Sequence, residues 1–220
     1  MYPHPTIKKI GICFDPAHGK DVPGKRSPDS RLIEWKWSRE KIKQCLNFFA
    51  NFRYPGVDIF SHFLSFDNEP GIKVRFDMYN RISHEYDELI VIPLHNDAMT
   101  MGGKWQDKAD HFKVFTSPGQ DKSDLYANIF INTIEKILPG ERISKQDWDD
   151  KDGDWEARLT LLVGYDNVKP NYNCVYIENL FMDNKKSVEK LLDEKWDKKH
   201  TDAICLSVMS IIKKSYTDWY

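Results

Sequence analysis

No stretch of this chain approaches the roughly 18 consecutive apolar residues that a membrane-crossing helix requires, so the reading contains no membrane span. Nor is there a surplus of one charge. The 32 basic side chains face 34 acidic ones, and a net charge of −2 gives no electrostatic footprint for nucleic acid or an anionic lipid surface. Cysteine is scarce and scattered: Cys13, Cys45, Cys174 and Cys205 form no Cys-x-x-Cys pair. Buried free thiols are therefore expected rather than a disulfide framework. The opening residues lack the charged-then-apolar pattern of a secretory signal, so synthesis in the cytoplasm is the expectation. Repeats and low-complexity linkers are also missing, which leaves one domain over residues 1–220 as the simplest organisation.

What is present is an alternation of apolar strands and amphipathic helices. A first strand runs from about Lys8 to Phe14 and breaks at Asp15-Pro16. After a polar loop, Ile33, Trp37, Ile42, Leu46 and Phe49 recur at helical spacing, predicting a helix from Leu32 to Phe52 capped by Asp29 or Ser30. Val57–Phe60 reads as a second strand, and Ile72–Ile82 as a shorter helix. Leu89–Leu94 is the most apolar run and suits a central strand covered on both faces, with a bulge or strand end expected at Pro93. His111–Phe115 follows as a strand and Leu125–Leu138 as a helix. Residues 141–157 read as loop, Leu159–Val163 and Cys174–Ile177 as the last strands, and 184–195 and 202–215 as closing helices. This order implies an α/β domain with a mostly parallel sheet between helical layers.

The chemistry gathers where strands end. His18 follows the first strand, His95-Asn96-Asp97 the central one, and Glu178 the last. In an open α/β sheet the carboxyl ends of the strands share one edge, where ligands bind. Glu34, at the head of the long helix, can reach the same edge. Two imidazoles and a carboxylate are a recurrent catalytic zinc set with a fourth position for water, and a second carboxylate can carry the proton. The four residues thus offer three ligands and one general base.

These segments resemble the zinc-dependent N-acetylmuramoyl-L-alanine amidases of bacterial cell-wall remodelling and phage lysins. That family carries Asp-Pro-Gly-His-Gly-Gly after a strand, matched by Asp15-Pro16-Ala17-His18-Gly19-Lys20. It has a glutamate opening a helix, matched by Glu34, and a leucine- and arginine-containing helix, for which residues 72–82 stand. Ser-x-His-x-Asn ends its central strand, here Pro93-Leu94-His95-Asn96-Asp97, and Glu-x-x-Phe-x-x-Asn appears as Glu178 to Asn184. The resemblance implies a three-layer α/β/α fold around a mixed sheet, zinc on His18, Glu34 and His95, and Glu178 as catalytic acid/base. It further implies that the bond between N-acetylmuramic acid and L-alanine of peptidoglycan is cut. A size without a wall-binding module suggests a phage- or prophage-type lysin that reaches the wall by another route. The sequence departs from the family at Ala17, which replaces a glycine, and at Asp97, which stands where asparagine is usual.

Other features receive structural readings. Asp15 is divided between orienting His18 and forming a turn before proline. Trp37 is expected in the core, while Trp35, Trp105, Trp148 and Trp155 are weighed for a sugar groove. The acidic run 147–154 lacks the spacing of a calcium loop. His4, His62, His84, His111 and His200 have no supporting motif, and Lys25 and Arg26 are assigned to a solvated loop rather than to contact with acidic stem peptides. Two rival functions remain: a zinc peptidase or deacylase acting on another amide, and a non-catalytic peptidoglycan-binding protein.

Overall fold

The structure, a computed structural model, describes residues 8–100, 103–145 and 153–217. The strands are β1 (Ile10–Pro16), β2 (Val57–Phe60), β3 (Glu88–Asp97), β4 (His111–Thr116), β5 (Arg142–Ile143), β6 (Trp155–Glu156), β7 (Asn173–Cys174) and β8 (Tyr176–Phe181). The helices are α1 (Glu34–Phe49), α2 (Ile72–Ser83), α3 (Lys122–Ile137), α4 (Thr160–Val163), α5 (Lys185–Leu191) and α6 (Glu194–Thr217). Spatial order is β2-β1-β3-β8-β4-β5, with β6 against β4 and β7 against β3. Every pairing is parallel except β4 with β8.

The layers follow from which residues alternate along the strands. Ile10, Ile12 and Phe14 of β1 and Ile90, Ile92 and Leu94 of β3 pack with Ile42 of α1, Phe130 of α3 and Val208 of α6. Cys13, Leu89 and Val91 point the other way, against Phe76 and Tyr79 of α2 and Leu161 and Leu162 of α4. A sheet buried on both faces explains the continuous apolar runs, and this is the expected three-layer α/β/α arrangement. The chain winds outward from β1 to β2 and then back across to β3. The order therefore reverses between β1 and β3, and the carboxyl ends of those two strands flank the crevice.

Several local expectations are corrected. Leu159–Val163 is not a strand; α4 forms one helical turn there, closed by Gly164 at φ 98°. Leu161 and Leu162 enter the same core cluster, and only a helical turn buries adjacent residues on one side. β3 does not end at Pro93. On the side toward β7 and β8 the ladder pairs Val91 with Cys174 and resumes at Leu94 with Ile177, so the missing proline donor falls in that interruption. The register shift lies later, between His95 and Asp97. Helix α1 starts at Glu34 with Ile33 before it and no side-chain cap; Asp29 instead accepts from Ser27 Oγ and Arg31. α6 begins at Glu194, eight residues before its expected start, because the 184–195 helix ends at Leu191. The stretch 141–157 contributes β5 and β6. Within it, the acidic run from Asp147 and Trp148 onward lies outside the described residues as far as position 152, as does His4. All four cysteines are buried and free, as expected.

Candidate active site

His18 lies just beyond β1, and three contacts fix its backbone. Ser38 of α1 donates its hydroxyl to the carbonyl of Leu94, and the same hydroxyl accepts from Ala17 N–H at 2.9 Å. Arg39 donates to Ala17 O at 3.0 Å. The chain then turns with His18 itself at φ 44°, a left-handed conformation in which histidine is among the better-tolerated non-glycine residues. The alanine that replaces the family glycine therefore takes no positive φ; the strain sits one residue later. Gly19 is required for space: a Cβ there would sit 2.0 Å from Glu69 N.

The sheet and α1 bring the other groups to this point. Glu34, in the first turn of α1, is fully buried. Its Oε1 accepts from Asn96 N–H at 3.0 Å and lies 3.2 Å from His95 Nδ1, while Oε2 lies 3.5 Å from His18 Nε2. The two imidazoles meet edge-on at 5.0 Å between ring centres, and Tyr176 stacks on His95 at 4.7 Å. Burial by itself would push the Glu34 carboxyl up, but the hydrogen bond and charge of His95, with the charge of His18, hold it below the ordinary range. Glu178 stands across the parallel β3–β8 register from His95 and across the antiparallel β4–β8 register from Lys113. Burial first, then the charges of Glu34 and Asp97, push its carboxyl well above the ordinary value, with Lys113 and Lys25 opposing.

Two buried oxygens, Glu34 Oε2 and Glu178 Oε2, have no hydrogen-bond partner. A buried carboxylate oxygen left unsatisfied is costly, and at a reactive centre it calls for a ligand. His18, Glu34 and His95 each offer one ligand atom, all within 4.8 Å of one another. Nitrogen and oxygen ligands around a tetrahedral zinc ion stand roughly 3.3 Å apart. Each imidazole nitrogen lies near that distance from a different oxygen of Glu34, 3.2 Å from Oε1 for His95 and 3.5 Å from Oε2 for His18, so the donor types and their gathering suit zinc. All four residues singled out in the sequence line one cavity of about 710 Å³.

Sequence reasoning missed the supports. Glu69, from the loop before α2, lies 3.4 Å from His18 Nδ1 and is itself 3.3 Å from Arg75. Asp15 does not orient His18; it is buried and accepts from Arg75 and Tyr79 of α2. Asp97 pairs with Lys113 at 2.6 Å. Asn179 donates to the His95 carbonyl at 2.9 Å, and its Oδ1 meets buried His200 Nε2 at 2.8 Å. His200 thus belongs to the scaffold of the site, and nothing in its sequence neighbourhood signals this. Among the described residues no tryptophan lines the cavity, and Trp37 is buried in the core as expected.

Solved structures share this fold. An N-acetylmuramoyl-L-alanine amidase from Clostridium difficile 630 superposes with a TM-score of 0.73 at 18% identity, covering 94% of this chain and 98% of that one. The amidase AmiC2 of Nostoc punctiforme gives 0.71 at 14% identity, with 93% and 97% covered. The catalytic domain of the CD27L endolysin targeting Clostridia Difficile gives 0.58 at 15%, with 91% and 97% covered. The fold is therefore the one these N-acetylmuramoyl-L-alanine amidases share. The family model for N-acetylmuramoyl-L-alanine amidase matches residues 12–210, and the chain belongs to that family. No protein of curated function matches the sequence. Among the described residues, no helix is long and apolar enough to cross a membrane.

Proposed function

We propose that the chain is a single catalytic domain that hydrolyses the amide bond between N-acetylmuramic acid and L-alanine in peptidoglycan, with zinc on His18, Glu34 and His95. The observation that carries this reading is the pair of buried, unpartnered carboxylate oxygens beside two imidazoles in one cavity. Zinc bound there supplies Lewis acidity at the scissile carbonyl and a nucleophile at neutral pH.

The chain's own residues do the rest. Asn96 N–H holds Glu34 in place, so the carboxylate is oriented before any ligand arrives. Glu178 Oε2 takes the proton of the attacking water and delivers it to the departing alanine nitrogen. A carboxyl raised by burial is suited to that exchange, because it holds a proton more readily than an exposed one. Tyr176 packs on His95 and keeps the imidazole from turning. The reading extends to a lytic enzyme of endolysin type that acts on the wall after release from the cytoplasm, supported by the likeness to the CD27L catalytic domain.

The test is the release of new alanine amino termini from purified peptidoglycan, with zinc present and after chelation. Release that vanishes on chelation and returns with zinc is the expected outcome. Zinc-loaded protein that frees no alanine termini from several wall types overturns the reading, in favour of another amide or a binding role.

A further inference from the structure

The cations around the cavity are not equivalent. Lys113 is engaged with Asp97, as Lys20 is with Asp67 and Arg31 with Asp29. Lys25 and Arg26 line the cavity and are exposed, and their side chains have no hydrogen-bond or ion-pair partner among the described residues. Of the cavity's other acids, Asp97 is paired with Lys113 and Asp183 accepts from Thr100 and Gln106, while neither Glu34 nor Glu178 forms an ion pair with Lys25 or Arg26. Two positive side chains therefore line the cavity without a salt-bridge partner among the described residues, Lys25 acting on Glu178 through its charge alone.

The backbone beneath these side chains is fixed to the reacting centre. Lys25 O accepts from the N–H of Glu34 itself at 3.0 Å, and Arg26 bridges to Ile33. Ser27 closes the loop by exchanging bonds with Leu32, its N–H to Leu32 O at 2.8 Å and its hydroxyl from Leu32 N–H at 3.0 Å. The segment read from sequence as a solvated loop is thus a short anchored lip whose Cα positions are set by α1. Only the two long side chains are free to meet a ligand.

The chemistry of the scissile bond says which half of the substrate they meet. The lactyl carboxyl of the sugar half is consumed in the amide, and its acetamido and hydroxyl groups are neutral. The peptide half keeps free carboxylates. We propose that Lys25 and Arg26 form a carboxylate-recognition subsite for an acidic stem peptide, on the leaving-amine side of the scissile bond. The inference rests on the amidase reading and adds to it the charge of the preferred substrate. Charge-assisted hydrogen bonds from a lysine and an arginine fork suit a carboxylate.

The test compares two soluble muramoyl peptides, one with free stem carboxylates and one with the same groups converted to primary carboxamides. Because Lys25 also bears on Glu178, the readout is the ratio of kcat/KM between the two substrates, in which any change in shared chemistry cancels. Wild-type, zinc-loaded protein is expected to favour the acid form by about 10-fold or more, the size of one charge-assisted bond, with the difference carried by KM and eroded by salt. In K25Q/R26Q the ratio should fall towards unity, and in K25E/R26E it should reverse, while zinc content and melting temperature stay at wild-type values. Equal cutting of both substrates by the wild type, or an unchanged ratio in K25E/R26E, overturns the subsite and leaves the amidase reading intact. No turnover of either substrate by zinc-loaded wild type overturns both.

Discussion

The Glu69 carboxylate lies 3.4 Å from His18 Nδ1, while Glu34 approaches the opposite ring nitrogen, Nε2, at 3.5 Å. The imidazole is therefore held between two carboxylates, one at each ring nitrogen. Burial disfavours the charge on Glu69, but His18 and Arg75 outweigh it and keep the carboxyl below its ordinary value. An ionised partner on Nδ1 fixes the ring and makes the other nitrogen a better donor to a metal. E69Q should weaken zinc binding about 10- to 100-fold while leaving the melting temperature of the metal-free protein near wild type. Chelator competition measures this, and an unchanged affinity would remove Glu69 from the site.

Glu178 is separable from the ligands. E178Q should retain one zinc per chain and lose about 10²- to 10⁴-fold in kcat, the range for removing a general acid/base. Metal analysis and turnover on the same preparation decide it. A variant that keeps near-normal kcat would assign the proton transfer elsewhere.

For the ligand set the order of losses is reversed. H95A and E34A should lose stoichiometric zinc after dialysis and lose activity with it. If either variant kept full zinc occupancy, the set of His18, Glu34 and His95 would be wrong.

His200 makes stability depend on pH. Burial, then the charge of Lys41, hold its imidazole well below the ordinary value of 6.5. Trp37, Trp196 and Phe112 pack around it and Asn179 is its hydrogen-bond partner, so among the described residues no carboxylate pairs with the ring. Above pH 6.5 the ring is neutral in both folded and unfolded chains and has no pH-dependent effect. Below 6.5 the unfolded chain takes up a proton that the fold refuses, and stability falls by about 1.4 kcal/mol per pH unit from this group. The difference between wild type and H200Q in urea unfolding should therefore shrink as pH drops from 7 to 5. A constant difference would contradict a neutral His200.

Asp15 and Arg75 form a buried ion pair between β1 and α2, with Tyr79 also donating to Asp15. R75M leaves the Asp15 charge buried and should cost about 3–5 kcal/mol. D15N/R75M removes both charges and should recover much of that loss. Equal destabilisation by the single and double variants would show that packing, not charge, sets the cost.

The sequence was legible where one residue's environment is set by its near neighbours. Apolar runs such as Leu89–Leu94 marked strands, and His18, His95 and Glu178 stood out because polar groups closed those runs. Glu69 did not stand out, since a loop carboxylate has no periodicity and its meeting with His18 depends on Gly19 admitting the 68–69 backbone. Lys113 beside Glu178 depends on β4 entering antiparallel, a long-range pairing that no local pattern encodes. Leu159–Val163 is apolar enough for either a strand or a turn of helix, and the choice was made by packing on α2.

The dispersal of the site along the chain has a consequence during synthesis. His18 and Glu34 leave the ribosome more than 140 residues before Glu178 and the Asn179–His200 prop behind His95. A nascent chain can pair β1 with β2 and β3 while still lacking Glu178 and the prop that steadies His95. On the function proposed for it, the activity cannot precede synthesis past Glu178, and fragments that stop short of that residue would be harmless to the wall.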